Sequence, residues 1–198
     1  MMMRLLSTVR TVSRAAVWIG GALTLASVLL ITYDVVVRRI FGISLGGADE
    51  LSGYVFAIGT SWALSFTALS RANVRVDVLY KHLPVRLGAV LDWLALVCLG
   101  VFAAYLTRHA YGVAMTSWTQ QAAANTPLAT PLWIPQTLWL LGLAWFCIVL
   151  ALMLLQASVA LVTGDLETLR AVCGVVSSEE EAAEEAAVGE RIVEGERA

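Results

Sequence analysis

Charged residues are scarce in this 198-residue chain, where they make up only 14% of the sequence. Soluble domains carry about 25% charged and about 45–50% apolar residues, whereas 59% of this chain is hydrophobic. The apolar residues form uninterrupted runs of about 20 residues, the length at which a helix crosses a bilayer core. The scarcity of charge therefore excludes a soluble globular domain and predicts an all-α integral membrane protein.

Histidine and cysteine are also rare, with two and three copies. His82 lies in a basic loop and His109 at the far end of an apolar run, so they are not placed to face each other as axial haem ligands. The cysteines form no C-x-x-C pair, and the chain has no H-E-x-x-H, no G-x-S-x-G and no phosphate loop. We therefore expect no enzyme activity, no metal site and no cofactor.

Four apolar runs predict four transmembrane helices. They cover about residues 15–37, 50–70, 87–106 and 133–163. Residues 1–14 are amphipathic and basic, which is typical of a short interfacial helix at the headgroup level. Residues 15–163 are therefore predicted to form the membrane domain.

The charges that remain are unevenly distributed. Residues 1–163 hold ten basic and five acidic side chains, whereas residues 164–198 hold ten acidic and three basic ones. The basic residues lie between the apolar runs, where the lipid bilayer is the expected partner and nucleic acid is not. The acidic segment has few large apolar residues, so we predict a disordered cytoplasmic tail.

Basic residues also predict the orientation. Four spans put both termini on one side together with the loop at 71–86. Near the spans that side holds eight basic residues (Arg4, Arg10, Arg14, four in the loop and Arg170) against three on the other. Since basic residues are retained in the cytoplasm, we predict cytoplasmic N- and C-termini.

The stretch D-V-V-V-R-R-I-F-G-I-S-L-G-G-A-D-E-L at 34–51 joins the first two runs. It carries five charged side chains: Asp34, Arg38, Arg39, Asp49 and Glu50. Asp34 is one helical turn before Arg38, so the two are expected to pair. The arginines run against the positive-inside trend, and we predict that the cluster sets the geometry of a hairpin and meets a partner.

Small and aromatic residues on the predicted spans have two interpretations. Either they pack against another membrane protein, or they only pack the four helices together. The residues in question are Gly20, Gly21, Gly59, Gly100, Gly142, Trp18, Trp62, Trp93 and Trp145.

Three stretches resemble the small permease subunit of tripartite ATP-independent periplasmic (TRAP) transporters. They are residues 34–51, A-L-S-R-A-N-V-R-V-D-V-L at 68–79 followed by L-P-V-R at 83–86, and T-P-L-W-I-P-Q-T-L-W-L-L-G at 130–142. The matching positions are Arg38, Glu50, Leu51, Val76, Asp77, Leu83, Pro84, Arg86, Pro135 and Gly142. The resemblance covers about residues 10–163. Asn73 stands where many relatives have histidine, which puts any role of a titrating imidazole there in doubt.

The resemblance implies a multi-pass protein of a bacterial inner membrane that braces a large permease subunit. A soluble periplasmic receptor would deliver an organic acid or similar solute, and ion gradients would drive its uptake. The expected interface or hairpin-organising residues are Arg38, Arg39, Asp49, Glu50, Arg75, Asp77, Arg86 and Pro135. Two alternatives are a self-sufficient, dimeric four-span transporter that couples protons through Asp34, and a membrane anchor that docks a soluble partner through its acidic tail.

Overall fold

The computed structural model describes residues 2–44, 46–71, 84–173 and 186. Within these ranges the chain is almost entirely helical, as predicted for an all-α protein. The helices are α1 (Met2–Phe41), α2 (Ala48–Leu69), α3 (Val85–Thr119), α4 (Trp133–Thr163) and α5 (Leu166–Cys173).

Helix length and apolarity fit the predicted membrane protein. In the described part of the chain, three segments are long and apolar enough to cross a membrane: Thr8–Phe41, Leu87–Thr119 and Trp133–Thr163. With 22 residues α2 has the length of a span, but it is richer in serine and threonine and is not one of the three. The second of the four spans therefore stays a prediction.

The four long helices pack in the order α1, α2, α4, α3. Neighbours in the chain are antiparallel, while α2 and α4 run parallel to each other. The interior belongs mostly to α4, whose buried side chains include Leu143, Phe146, Val149, Leu150 and Met153. The outer helices α1 and α3 leave large apolar side chains on the surface, as expected of helices that face lipid or another membrane protein.

Glycines set the closest helix crossings. A Cβ atom at Gly20 of α1 would lie 3.2 Å from the Cα atom of Gly59 in α2. A Cβ atom at Gly142 of α4 would overlap Ser61 Oγ of α2 and lie 2.7 Å from Trp62 Cδ1. Because a larger residue at either crossing would push the backbones apart, these glycines serve packing within the chain.

Three tryptophans join α4 to each of its neighbours. The bonds run from Trp62 Nε1 to the carbonyl oxygen of Leu138 (3.1 Å), from Trp93 Nε1 to Ser158 Oγ (2.9 Å) and from Trp145 Nε1 to Ser13 Oγ (3.2 Å). Their indoles thus bond within the chain, while Trp18 is 72% exposed and a Cβ atom at Gly21 would meet nothing within 4 Å. The tryptophans at 62, 93 and 145 therefore pack the helices together, and packing against another membrane protein stays a prediction for Trp18 and Gly21.

Two helix boundaries differ from the sequence pattern. Helix α1 continues without a break through Arg14. The helix therefore has no end at the predicted boundary between the interfacial segment 1–14 and the first span. Helix α3 extends to Thr119, although the span was predicted to end at about 106. No proline interrupts residues 107–119, and the helix ends only where Gln121 adopts a φ of +50°.

The chain reverses after α4 and forms one more packed helix. Gly164 ends α4 with a φ of +73°, and the Asp165 amide donates to the carbonyl oxygen of Ala160 at 2.9 Å, a glycine-based helix stop. Asp165 then caps α5, because its Oδ1 accepts the Thr168 amide at 3.0 Å. Leu169 is fully buried in the core.

Residues 166–173 are thus helical, although they belong to the segment that was predicted to be a disordered tail. The cap at Asp165 and the burial of Leu169 stabilise a helix that composition did not indicate. Residues 174–185 and 187–198 lie outside the described residues, so the prediction for them stays open.

The cap predicts how α5 responds to substitution. Asp165→Ala removes the acceptor for the Thr168 amide, so trypsin should cleave after Arg170 severalfold faster in detergent micelles. Asp165→Asn keeps a capping side chain and serves as the control. Equal cleavage of Asp165→Ala and the wild type would contradict the role of the cap.

The same cap predicts a pH dependence. Hydrogen bonds from the Thr168 side chain and amide hold the pKa of Asp165 below its ordinary value. The cap therefore contributes fully above the unfolded pKa of about 3.9 and is lost as pH falls through the lower folded pKa. As pH falls from about 3.9 through the folded pKa, the amide exchange rate of residues 166–173, corrected for intrinsic rates, should rise in the wild type. It should not rise in Asp165→Asn, which has no carboxyl group to protonate.

The crossing of α2 and α4 predicts a cost for one added methyl group. Gly142→Ala should lower the free energy of unfolding in detergent by about 1–3 kcal/mol, since overpacking displaces neighbouring side chains. Gly21→Ala adds the same group in open space and should be neutral or slightly stabilising. Equal stability of the two variants would show that the crossing tolerates the extra atom.

Candidate functional site: the hairpin junction

The turn between α1 and α2 lies at the end of the molecule where the α3–α4 linker also lies. Gly42 and Gly46 have φ values of +70° and +69°, a conformation that other residues rarely adopt. These two positions let the chain reverse within a few residues. We call the turn (42–47) and the linker (120–132) together the hairpin junction.

Asp34 fastens the end of α1 to this turn. Its carboxylate is buried and accepts the hydroxyl of Ser44 at 3.1 Å, while Arg38 Nη2 lies 3.7 Å from Oδ2. Ser44 Oγ in turn accepts the amide of Gly46 at 3.2 Å. The expected pair of Asp34 and Arg38 is therefore present, and the turn itself supplies a further donor. These contacts favour a structural role for Asp34 over a coupling role.

The linker forms a small, ordered hairpin of its own. The Ala124 amide donates to the carbonyl oxygen of Thr130 at 2.9 Å, and the Leu132 amide donates to that of Ala122 at 3.0 Å. A tight turn from Thr126 to Ala129 closes the tip, with a φ of +47° at Ala129. At the base, the rings of Trp118 and Trp133 meet edge to face, with centroids 4.7 Å apart. The linker thus has a defined shape.

Glu50 connects the two parts of the junction. Its Oε1 accepts the hydroxyl of Tyr54, one turn later on α2, at 2.7 Å. Its Oε2 accepts the hydroxyl of Thr126, at the tip of the linker, and Thr130 stands beside the same carboxylate. One acidic side chain therefore holds both its own helix and a segment 76 residues away.

Shape complementarity reinforces this contact. A Cβ atom at Gly47 would overlap Leu128 Cδ1 and lie 3.1 Å from its Cγ. A Cβ atom at Gly46 would lie 3.4 Å from the Cβ atom of Pro127. The tip of the linker therefore rests directly on the backbone of the turn, in space that only glycine leaves free.

The structure brings only some of the predicted site residues into the junction. Arg38, Arg39 and Asp49 are exposed there, whereas Glu50 points into it. Pro135 is buried in the first turn of α4, where its missing N–H removes no helical hydrogen bond.

The remaining predicted residues lie elsewhere in the chain. Arg75 and Asp77, like Asn73, lie outside the described residues. Arg86 belongs to the first turn of α3, and only its backbone is described.

Several junction residues were missed by sequence reasoning. These are Ser44, Tyr54, Thr126 and Leu128. The spacing of Glu50 and Tyr54, four residues apart on a helix, was a usable signal. Nothing local in the sequence indicates that Thr126 and Leu128 reach the first hairpin.

The bond between Ser44 and Asp34 predicts a loss of stability. Ser44→Ala removes one donor from a buried carboxylate and should lower the free energy of unfolding by about 1 kcal/mol. Ser52→Ala is the matched control, because the Ser52 hydroxyl bonds to the carbonyl oxygen of Asp49, three residues earlier on the same helix. Unfolding of the purified protein by a denaturing detergent measures both, and equal losses would contradict the prediction.

Comparison with known families matches residues 27–160 to tripartite ATP-independent periplasmic transporters, DctQ component. Searches of curated proteins and of solved structures give no match. The matched range includes the C-terminal part of α1 from residue 27, all of α2 and α3, nearly all of α4, and both parts of the hairpin junction. The chain therefore belongs to the DctQ family and is a small membrane subunit of a TRAP transporter.

Proposed function

We propose that this chain braces the large permease subunit while ion gradients drive the uptake of an organic acid or similar solute delivered by a periplasmic receptor. The observation that carries the proposal is the family match over residues 27–160. The packing of the interior supports it, because buried serines bond within their own helix. Ser61 and Ser65, for example, donate to carbonyl oxygens of their own helix at 2.8 Å.

The proposed topology has four spans, including α2, in a bacterial inner membrane with both termini in the cytoplasm. Antiparallel chain neighbours support it, since they place the start of α1 and helix α5 at the end away from the hairpin junction. The excess of basic residues at that end supports its cytoplasmic location. The proposed units remain the interfacial segment 1–14, the membrane domain 15–163 and the cytoplasmic tail.

The proposed contacts with partners divide by exposure. Arg38, Arg39 and Asp49 are exposed at the junction, so they would meet the large subunit or the docked receptor. Glu50 and Pro135 face inward and would organise the hairpins. Arg75, Asp77 and Arg86 keep their proposed role at the opposite end on the family resemblance alone.

The outer face of α1 would supply the apolar part of the contact. A groove of about 370 Å³ runs between α1 and α2, with Ala16, Ile19 and Trp62 among its walls. Gly20 and Gly59, which meet where the two helices cross, also line it. Small residues along such a groove allow another helix to approach closely.

Reconstitution with the two expected partners tests the proposal. The chain should co-purify with a large permease subunit, and proteoliposomes that hold both should take up solute only when the receptor is added. Uptake by this chain alone would contradict the proposal and support the self-sufficient transporter.

Charge reversal tests the junction as a partner surface. Arg38→Glu should reduce co-purification and receptor-dependent uptake about tenfold or more, because unfavourable charge pairs at an interface cost several kcal/mol. Arg108→Glu reverses another exposed arginine, on α3, and should leave both unchanged. Normal assembly and uptake of Arg38→Glu would remove this arginine from the proposed interface.

A further inference from the structure

We propose that Glu50 and Gly47 are positioning residues that lock the turn and the linker into one static platform, so that the two helical hairpins do not move against each other during uptake. This inference rests on the proposed function and assigns the rigidity of the brace to named contacts. It predicts that the platform can be fixed covalently without loss of transport.

The first support is the way Glu50 uses its two oxygens. Tyr54 fixes Oε1 from within α2, and Thr126 binds Oε2 from the tip of the linker. Because the carboxylate is held on both sides, a shift of the linker along α2 breaks the Thr126 bond without offering Glu50 a new partner within its own turn. Hydrogen bonds to a charged acceptor are about twice as strong as neutral ones.

The second support is steric. Leu128 occupies the space above Gly47, and the ring of Pro127 lies against Gly46. Such contacts resist sliding, since movement in the plane of the turn brings the Leu128 side chain against neighbouring backbone. The φ of Gly47 is −154°, which other residues also adopt, so the need for glycine here comes from Leu128 and not from the backbone.

The third support is that each half of the platform is ordered by itself. The bonds between Asp34, Ser44 and Gly46 hold the turn. The backbone bonds of the linker and the contact between Trp118 and Trp133 hold the other half. A contact between two ordered parts transmits position, whereas a contact between two loose loops would not.

A reversible crosslink provides the main test. A Cβ atom built on Gly46 would lie 3.4 Å from that of Pro127, close to the roughly 3.5–4.5 Å of disulfides. Because the φ of Gly46 is +69°, the single variant Gly46→Cys is the reference for folding. Cysteines at both positions, with Cys98, Cys147 and Cys173 replaced by alanine, should form a disulfide on mild oxidation. In the complete complex with permease and receptor, uptake should then be the same before and after oxidation.

The outcomes of this test separate the two proposals. Uptake that falls on oxidation and returns with reductant would overturn the static platform, as would failure of the disulfide to form in a double variant that folds as well as Gly46→Cys. Absence of receptor-dependent uptake in the cysteine-free parent complex would instead speak against the proposed function. The single variant Gly46→Cys, oxidised in the same way, controls for damage by the oxidant.

A substitution cycle tests the lock without any transport assay. Gly47→Ala should displace Leu128 and speed amide exchange across residues 120–132, and Leu128→Ala in the same chain should restore protection toward the level of Leu128→Ala alone. Gly53→Ala, where an added Cβ atom meets nothing within 4 Å, is the control. Unchanged exchange in Gly47→Ala, or no recovery in the double variant, would overturn the steric part of the lock.

Glu50 is tested by the same measurement. Glu50→Ala should raise amide exchange in residues 120–132 about tenfold or more. Glu50→Gln keeps one carbonyl acceptor of similar size and should give an intermediate value. If both variants protect the linker as well as the wild type does, Glu50 does not position it.

Discussion

The close approach of α4 to α2 at Gly142 is the constraint on which the rest of the structure depends. Helix α4 touches α2 through this glycine and bonds to α2, α3 and α1 through Trp62, Trp93 and Trp145. With α4 in place, α3 pairs with it as a hairpin and α1 covers the far side of α2. The same approach carries the linker to the turn, because the linker leads directly into α4. The hairpin junction is therefore a consequence of helix packing as much as of its own contacts.

The position of α2 accounts for its content of serine and threonine. It lies between α1 and α4, so much of its surface faces protein and not lipid. Its hydroxyl groups bond to carbonyl oxygens of their own turn, as Ser61, Ser65 and Thr67 do, which satisfies them without water. A helix shielded in this way needs less apolarity than one exposed to hydrocarbon. This explains why α2 is not among the three segments that length and apolarity alone identify.

The sequence predicted what depends on local pattern and on composition. Long apolar runs gave the all-α membrane protein, and the spacing of Asp34 and Arg38 gave their contact. The family resemblance, built from loose motifs in the right order, was confirmed by the match over residues 27–160. The extent of α3 was underestimated because a membrane boundary need not end a helix. The contacts of Thr126 and Leu128 were out of reach, since only the parallel packing of α2 and α4 brings these residues to the turn.

Helix length has a consequence for the surrounding bilayer. At 1.5 Å per residue, the 40, 35 and 31 residues of α1, α3 and α4 span about 60, 52 and 46 Å, against a hydrocarbon core of about 30 Å. The 22 residues of α2 span about 33 Å and match it. Helices longer than the core must tilt, project into water or thicken the lipid around them, and mismatch of their apolar stretches has a cost for each ångström. The tilt of these helices is thus coupled to membrane thickness, which makes lipid composition a variable in the orientation of the hairpin junction.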